Sequence, residues 1–304
     1  MSKTTDGIQQ LAARHGLTLA LESIQLEESG ADFLAAFADD TSGTSRVLRM
    51  PRRDDVLPRA ASEGRALTLI RPLLPVAVPE WQINSQELIA YPRLAGTPAV
   101  VEGEAYVWHV ASPPPHAAFI DSLAGALAAL HGASHEAAAA ADLRVLSPSA
   151  AREAAADKIE TAGAILDVPP VIWRRWQAWL INDELWPPFS ALIHGDLHPG
   201  HLLVDDDGRV TGIIDWTEAE VSDPAIDFVF AYWIFGEKML RQLLQRYQSA
   251  GGRVWPGMVQ QIGARQSVMP ATVAIFARES GHPEYLEFAR SLLAAQEAEL
   301  SAPS

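Results

Sequence analysis

Over its first third, the chain alternates apolar and polar positions in short stretches, a pattern that predicts a small strand-rich lobe. A short amphipathic helix ends at Gly16, and the alternation predicts strands over Leu17–Glu27, Phe33–Ala38 and Ser45–Met50. The segments between these strands are rich in Asp, Ser, Thr and Gly, which favour tight turns. We therefore expect two antiparallel hairpins.

After the third strand, apolar residues recur at helical spacing and predict a helix from about Asp55 to Leu73. Two further strands are predicted over Val76–Ile83 and Glu87–Tyr91. The segment Ala95–His116 is rich in Pro, Gly and Ala, which predicts the passage from the small lobe into a larger one.

The rest of the chain is mostly helical in pattern. Apolar residues at helical period cover Ala117–His131, and Ser147 followed by Pro148 is typical of a helix start. Trp173, Trp176 and Trp179 lie three residues apart and are expected to pack into the core. The predicted fold class is α+β, with one lobe over residues 1–95 and a helical lobe over residues 96–304.

Composition narrows the function classes. The 304 residues carry a net charge of −15, which argues against nucleic acid as a partner, and an apolar fraction of 48% argues against disorder. There is no cysteine, so thiol catalysis and cysteine metal sites are excluded. No long apolar segment predicts a membrane span or a signal peptide, so a cytoplasmic location without a membrane partner is expected.

Two polar clusters follow short apolar strands, where a rigid frame can hold catalytic groups on loops. The first is His194-Gly195-Asp196, and the second is Asp215. A predicted hairpin over residues 204–214 brings Asp215 back beside the first cluster. Phosphoryl transfer needs a carboxylate base and a second carboxylate that holds Mg²⁺. Asp196 is the candidate base, and Asp215 is the candidate metal ligand.

His201 lies five residues after Asp196, where the catalytic loop of a protein kinase has an asparagine that binds the second metal ion. A neutral imidazole can bind a metal ion, although it is a less usual ligand for Mg²⁺ than an oxygen. His201 is therefore the second candidate metal ligand.

The joint pattern of His194-Gly195-Asp196, Ile214-Asp215-Trp216 and Asp223-Pro224-Ala225-Ile226-Asp227 resembles that of the aminoglycoside phosphotransferase-like small-molecule kinases. The segments Val47–Arg53, Asp215–Ala219 and Ala250–Pro256 resemble those of the macrolide 2′-phosphotransferases within that family. This resemblance implies a bilobal, protein-kinase-like fold and an enzyme that phosphorylates a hydroxyl group, inactivating macrolide antibiotics. It also implies that His194 and Asp227 support the catalytic loop.

The resemblance implies a nucleotide site in the first lobe. Arg49 would contact the phosphates and Glu63 would hold Arg49, although by sequence alone the two could be an ordinary surface ion pair. A turn at residues 28–32 that includes Ser29 would cover the phosphates, and its two acids are awkward there. The Tyr91 carbonyl and the Leu94 amide would bind the purine. GTP is the donor implied, with ATP as the alternative.

An apolar pocket with a carboxylate would suit a macrolide, which is large and carries one amine. Candidate substrate contacts are His198, Tyr232, Phe235 and Glu279. Three other functions stay open. The acceptor could be an aminoglycoside or another small hydroxylated molecule, the histidines and Asp196 could form a metallohydrolase site, or the chain could be a catalytically inactive nucleotide-binding module.

Overall fold

A computed structural model of the chain describes residues 4–28, 30, 32–102, 108–110 and 117–301, and for residues 101, 102 and 108–110 it describes the backbone only. An antiparallel sheet forms the N-terminal part, and helices dominate the rest, which confirms the α+β class.

The helices are α1 (Thr5–Arg14), α2 (Leu57–Ile70), α3 (Ala117–His131), α4 (His135–Ala140), α5 (Pro148–Gly163), α6 (Pro170–Leu180), α7 (Val229–Ser249), α8 (Met258–Ser267), α9 (Met269–Ser280) and α10 (Pro283–Ser301). The strands are β1 (Gln25–Glu27), β2 (Phe33–Asp39), β3 (Ser45–Pro51), β4 (Ile83–Asn84), β5 (Ile89–Pro92), β6 (Thr97–Pro98), β7 (Val100–Glu102), β8 (Trp108–Val110), β9 (Ala191–Ile193), β10 (Leu202–Val204), β11 (Val210–Ile213) and β12 (Glu220–Ser222).

The N-terminal sheet has the strand order β1-β2-β3-β5-β4, and every pair is antiparallel. Because successive side chains of a strand point to opposite faces, β3 divides its residues between two layers. Leu48 lies opposite Ala36 and Ala90 and belongs to the apolar cluster that includes α1. Its neighbours Val47 and Arg49 point to the other face, toward α2. This alternation directs Arg49 toward Glu63.

Two of the strand predictions are wrong in extent. The segment Leu17–Glu27 contains a 3₁₀ turn at Leu21–Ser23, and only β1 of it is strand. Of Val76–Ile83, only Ile83 belongs to the N-terminal sheet, because Pro79 lacks an N–H and interrupts any ladder there. Ala77 instead exchanges backbone hydrogen bonds of 2.9 Å with β11 of the C-terminal part.

The helical part matches its pattern closely. Helix α3 spans Ala117–His131 as predicted, and α5 begins at Pro148 with the Ser147 hydroxyl accepting a hydrogen bond from the Ala150 amide. Trp176 and Trp179 are buried, as a core role requires. In the described ranges, no helix is both long and apolar enough to cross a membrane.

Small sheets place the functional loops. Strand β9 pairs with β12, and β10 and β11 form an antiparallel hairpin with β6 at its edge. The hairpin confirms the predicted return of the chain toward His194–His201. Helix α7 is broken at Gly236, which has a φ of 78°. Glycine adopts positive φ values at little energetic cost because it has no Cβ.

Candidate active site

The segment that carries the candidate base Asp196 begins where β9 ends and continues through a 3₁₀ turn, Pro199–His201, into β10. Leu202 faces Ile213 in the β10–β11 register, and the Ile214 amide donates to the His201 carbonyl at 3.0 Å. The hairpin therefore brings Asp215 beside His201, although the two residues are distant in sequence.

His201 lies between the two candidate catalytic carboxylates. Its Nδ1 is 3.9 Å from Oδ2 of Asp196, and its Nε2 is 3.7 Å from Oδ2 of Asp215. About half of each carboxylate side chain is exposed, 45% for Asp196 and 47% for Asp215. The structure thus brings together the predicted base and both predicted metal ligands at one open cleft.

The hydrogen bonding of His201 fits a divalent cation. Nδ1 is 2.9 Å from the Asp196 carbonyl oxygen, which can only accept, so Nδ1 carries the proton. With Nδ1 as the donor, Nε2 is the ring nitrogen that faces the Asp215 carboxylate, at 3.7 Å from Oδ2. One nitrogen and one carboxylate facing each other can hold a metal ion together with the oxygens of a phosphate.

Asp215 adopts a left-handed backbone conformation with a φ of +62°, which is uncommon for a residue other than glycine. Its Oδ1 accepts a hydrogen bond of 2.8 Å from the Thr217 hydroxyl. Burial opposes the charge of Asp215, but His201 and Arg49 outweigh burial and hold the pKa of the carboxyl well below its usual range. Asp215 therefore stays ionised, which its candidate role as a metal ligand would require.

The Asp196 carboxyl accepts no side-chain hydrogen bond within the part of the chain that the structure describes. Enclosure by the surrounding protein raises its pKa, while His201 partly offsets that effect. An accessible carboxylate with a raised pKa is a better proton acceptor than an ordinary aspartate.

A buried hydrogen-bond network holds the loop from behind. Oδ2 of Asp227 accepts from the His194 amide and Oδ1 from the Gly195 amide, both at 2.9 Å. His131 joins the network, with Nε2 at 3.1 Å from Asp227 and Nδ1 at 2.9 Å from the Tyr247 hydroxyl. Three helical segments therefore anchor the two residues that precede Asp196.

His194 links the two catalytic segments. Its Nε2 lies 3.0 Å from the Ile214 carbonyl oxygen, and its Nδ1 accepts from the Asp196 amide at 3.3 Å. Burial lowers the pKa of His194, so the ring is neutral and acts as a fixed connector.

Gly195 cannot be replaced without moving the loop. Its φ is +87°, and a Cβ there would lie 2.3 Å from the Glu218 carbonyl oxygen. The close approach keeps the segment after Asp215 against the segment before Asp196.

Arg49 and Glu63 form a buried pair rather than a surface one. One guanidinium nitrogen, Nη1, lies 2.7 and 2.9 Å from the two Glu63 oxygens, and the Glu63 side chain is fully buried. The guanidinium lies 4.2 Å from the centre of the Phe33 ring. Burial alone would lower the pKa of Arg49, but the Glu63 carboxylate raises it, so the cation is permanent.

Glu28, Gly30 and Asp32 are held by arginines for which the sequence analysis gave no role. Arg52 donates to the Gly30 and Glu28 carbonyls at 2.8 and 2.7 Å. Arg53 and Arg59 bind the Asp32 carboxylate at 2.7 and 3.1 Å. The negative charge of Asp32 would repel a nearby triphosphate, but the two arginines balance that charge. Ser29 lies outside the described residues.

The candidate purine contacts lie where the sheet meets the helical part. Burial raises the pKa of Tyr91 to about 12, so its phenol is neutral beside Arg49. The Leu94 amide finds no hydrogen-bond acceptor in the part of the chain that the structure describes, and the Leu94 side chain approaches Gly212. An unused amide at this edge can donate to a ligand.

The candidate substrate residues do not form one cluster. His198 stacks on His201 with ring centres 3.9 Å apart, and burial lowers its pKa to about 3. Phe235 packs edge-on against Phe119, and Tyr232 approaches Gly263 of α8. Glu279 is exposed on α9, where its negative charge contributes to the raised pKa of Arg59.

Among the described residues, no three His, Asp or Glu side chains converge to hold a metal ion without further ligands. A hydrolytic zinc site needs three protein ligands. The His201–Asp215 pair suits an ion that is also held by substrate phosphates.

The family described as "Phosphotransferase enzyme family" matches residues 23–259. An uncharacterized protein of Bacillus subtilis (strain 168), YcbJ, is 45% identical over 286 residues, which cover 93% of this chain and 94% of that protein.

Two solved structures are similar over the whole chain. Macrolide 2′-phosphotransferase type I has 40% sequence identity and a TM-score of 0.87, covering 100% of this chain and 99% of that chain. The apoenzyme of a macrolide 2′-phosphotransferase from Brachybacterium faecium has 38% identity, the same TM-score of 0.87 and the same coverage.

These comparisons confirm the resemblance that the motifs indicate and replace the hydrolase alternative with phosphoryl transfer to a hydroxyl group. The chain belongs to the phosphotransferase enzyme family.

Proposed function

We propose that the chain is an antibiotic kinase that transfers the γ-phosphoryl group of GTP to the 2′-hydroxyl of the desosamine sugar of macrolides. The observation that carries the proposal is the placement of Asp196 and Asp215 on either side of His201, in a chain 40% identical to a macrolide 2′-phosphotransferase over its whole length. The reaction would inactivate the antibiotic and confer resistance.

Asp196 accepts the proton of the attacking hydroxyl. A bond forms between the acceptor oxygen and the γ-phosphorus, and the bond from that phosphorus to the β–γ bridging oxygen breaks, which leaves GDP. The raised pKa of Asp196 and its position at the cleft suit this role. His194 and Asp227 position the loop through the backbone contacts described above.

Asp215 and His201 would hold Mg²⁺, which when bound supplies positive charge against the β- and γ-phosphates. Arg49 adds a permanent cation on the side of the sheet and contacts the phosphates, with Glu63 fixing its direction. A planar guanidinium suits phosphate oxygens at least as well as an ammonium does.

The donor would bind with its purine at the Tyr91 carbonyl and the Leu94 amide, and with the turn that contains Ser29 over its phosphates. The unused Leu94 amide supports this placement. The preference for GTP over ATP rests on the resemblance to the macrolide branch.

The acceptor would lie beside Asp196. Phe235 and Tyr232 are partly exposed aromatic side chains at the edge of the helical core and can form an apolar wall, with His198 at the catalytic loop. Glu279 is the proposed partner of the dimethylamine, and it is an exposed residue of α9 whose charge helps to raise the pKa of Arg59 in α2.

The test is phosphate transfer from γ-labelled GTP and γ-labelled ATP, with Mg²⁺, to erythromycin and to kanamycin in four parallel reactions. Label on erythromycin, more from GTP than from ATP, is expected. Label on kanamycin alone would move the acceptor to the aminoglycosides. Bound nucleotide without transfer to any hydroxyl would favour an inactive binding module.

A further inference from the structure

A tight turn follows the candidate metal ligand Asp215. The Ala219 amide donates a hydrogen bond of 3.1 Å to the Trp216 carbonyl oxygen, which places Thr217 at the second position of a β-turn. The Thr217 side chain is partly buried and reaches from this turn to α2. Thr217 belongs to the segment that resembles the macrolide branch, yet the proposed reaction gives it no task.

The Thr217 hydroxyl lies between two carboxylates that are far apart in sequence. Its Oγ1 is 2.8 Å from Oδ1 of Asp215 and 3.3 Å from Oε2 of Glu63. The same oxygen of Glu63 lies 2.9 Å from Nη1 of Arg49. A continuous chain of contacts therefore runs from Arg49, through Glu63 and Thr217, to Asp215.

The hydroxyl supplies the one proton in this part of the chain of contacts. A threonine hydroxyl donates one hydrogen bond, whereas an ionised carboxylate can only accept. The shorter distance assigns the proton to Asp215, and the longer distance separates the hydroxyl from Glu63. Without the hydroxyl, the two carboxylates would face each other with no donor between them, and like charges at such close range repel.

The hydrogen bond also determines which oxygen of Asp215 is free. Thr217 occupies Oδ1, and Oδ2 faces Nε2 of His201 at 3.7 Å. A carboxylate that is held through one oxygen keeps its orientation and presents the other oxygen to a cation. The hydroxyl therefore directs the free oxygen of Asp215 to the side where His201 lies.

We propose that the Thr217 hydroxyl is a positioning group that orients the Asp215 carboxylate for a divalent cation and couples it to the Arg49–Glu63 pair. The cation and Arg49 then meet the phosphates of one nucleotide from positions that are fixed relative to each other. Hydrogen bonds to a ligating carboxylate commonly determine metal affinity. The inference rests on the proposed function for its nucleotide and its metal ion, but it can be measured without turnover.

The test compares Thr217→Val, Thr217→Ser and the control Thr68→Val with the unaltered chain. Valine keeps the branched shape of threonine and replaces only the hydroxyl. Thr68 lies on the same helix as Glu63, but its hydroxyl donates to the Gly64 carbonyl oxygen at 2.9 Å. Calorimetry gives the Kd of GDP and of ADP in Mg²⁺ and in chelator. For the nucleotide that binds more tightly, the ratio of the two Kd values is the Mg²⁺-dependent gain in affinity.

In Thr217→Val, this gain should fall by about tenfold, the lower limit for loss of a group that supports a metal ligand. Thr217→Ser, which keeps a hydroxyl, should retain the gain of the unaltered chain, and so should Thr68→Val. Because each ratio is taken within one protein, a loss of folded protein alone would leave it unchanged.

The coupling to the Arg49–Glu63 pair is tested in a Glu63→Gln background. Glutamine still accepts a hydrogen bond from Arg49 but no longer places a negative charge opposite Asp215. Thr217→Val should then lower the gain by only about threefold, because the two residues act through one network and their effects are not additive. An equal fall in both backgrounds would overturn the coupling.

An unchanged gain in Thr217→Val, an equal fall in Thr68→Val, or a fall that Thr217→Ser shares would overturn the inference. Absence of any Mg²⁺-dependent gain in the unaltered chain would do the same. Failure of the proposed function has a different signature. In that case no labelled erythromycin forms with the unaltered chain, although Thr217→Val still lowers the Mg²⁺-dependent gain in nucleotide affinity.

Discussion

Two pairs of aspartates in the helical lobe differ in how much of their hydrogen-bonding capacity the protein uses. The Asp227 carboxylate accepts hydrogen bonds from two backbone amides and faces His131. The Asp223 carboxylate accepts hydrogen bonds from the Ala225 amide and from the side chains of Gln261 and Arg265. Both side chains are fully buried. Asp196 and Asp215 keep about half of their surface open to the cleft.

Asp227 and Asp223 hold the fold, whereas Asp196 and Asp215 keep hydrogen-bonding capacity that the protein does not use. A buried carboxylate must be fully hydrogen-bonded to be tolerated, so Asp227 and Asp223 have no capacity left for substrate. An open carboxylate with few partners contributes little to stability and can bind a proton or a cation. Variants in the two groups should therefore fail in different ways.

The largest effect is expected from Asp196→Asn. Turnover should fall by roughly 10²–10⁴-fold, the usual contribution of a general base, with unchanged nucleotide affinity and melting temperature. Initial rates, nucleotide titration and thermal melting test these three statements. Retained turnover would remove Asp196 as the base.

Asp215→Asn should weaken Mg²⁺-dependent nucleotide binding by about 10–100-fold, a loss seen even for groups that only support a metal ligand. Asparagine tolerates the left-handed backbone of residue 215, so the fold should persist. Nucleotide titrations with Mg²⁺ and with chelator measure the difference, which should vanish in the variant. A full Mg²⁺ effect in the variant would contradict the assignment.

Asp227→Asn should lower the free energy of unfolding by about 3–5 kcal/mol, since an amide nitrogen would face the amides and imidazole that the carboxylate now accepts from. The His131 contact lowers the pKa of Asp227 against the opposing effect of burial. The ionised form is thus favoured by folding, and this contribution is complete above the unfolded pKa of about 4.

Urea titrations of the unaltered chain and of the Asp227→Asn variant at pH 7, 5 and 3.5 test the direction of this pH dependence. The difference between them should be constant from pH 7 to 5 and narrow at pH 3.5, as the pH falls toward the folded pKa. A difference that widens on acidification would show that Asp227 is protonated in the folded protein.

The smallest effect is expected from Tyr247→Phe, which removes the hydroxyl contact with His131. A single buried hydrogen bond contributes about 1 kcal/mol. Tyr232→Phe, on the same helix, is the control, since the Tyr232 hydroxyl makes no hydrogen bond within the described part of the chain. Equal unfolding midpoints for the two variants would remove Tyr247 from the network.

Local patterns were sufficient for most helices and for the β10–β11 hairpin, because the helical period and turn residues act within a few positions. They failed at Val76–Ile83, whose apolar residues resemble a strand but whose Pro79 interrupts any ladder with the N-terminal sheet before Ile83. They also could not distinguish a buried Arg49–Glu63 pair from a surface one, because that depends on which face of β3 meets α2.

The sequence by itself determined the phosphotransferase family and the residue types of the candidate site. The motifs His194-Gly195-Asp196 and Asp215-Trp216 are recognisable from the identity and order of their residues alone. Only the tertiary structure decided which carboxylates remain open. Asp227 and Asp196 are the same residue type, and their difference comes from neighbours distant in sequence, namely His131 and Tyr247 behind one and an open cleft before the other. Hydrogen bonds and burial of this kind are set by packing between elements, which no local pattern encodes.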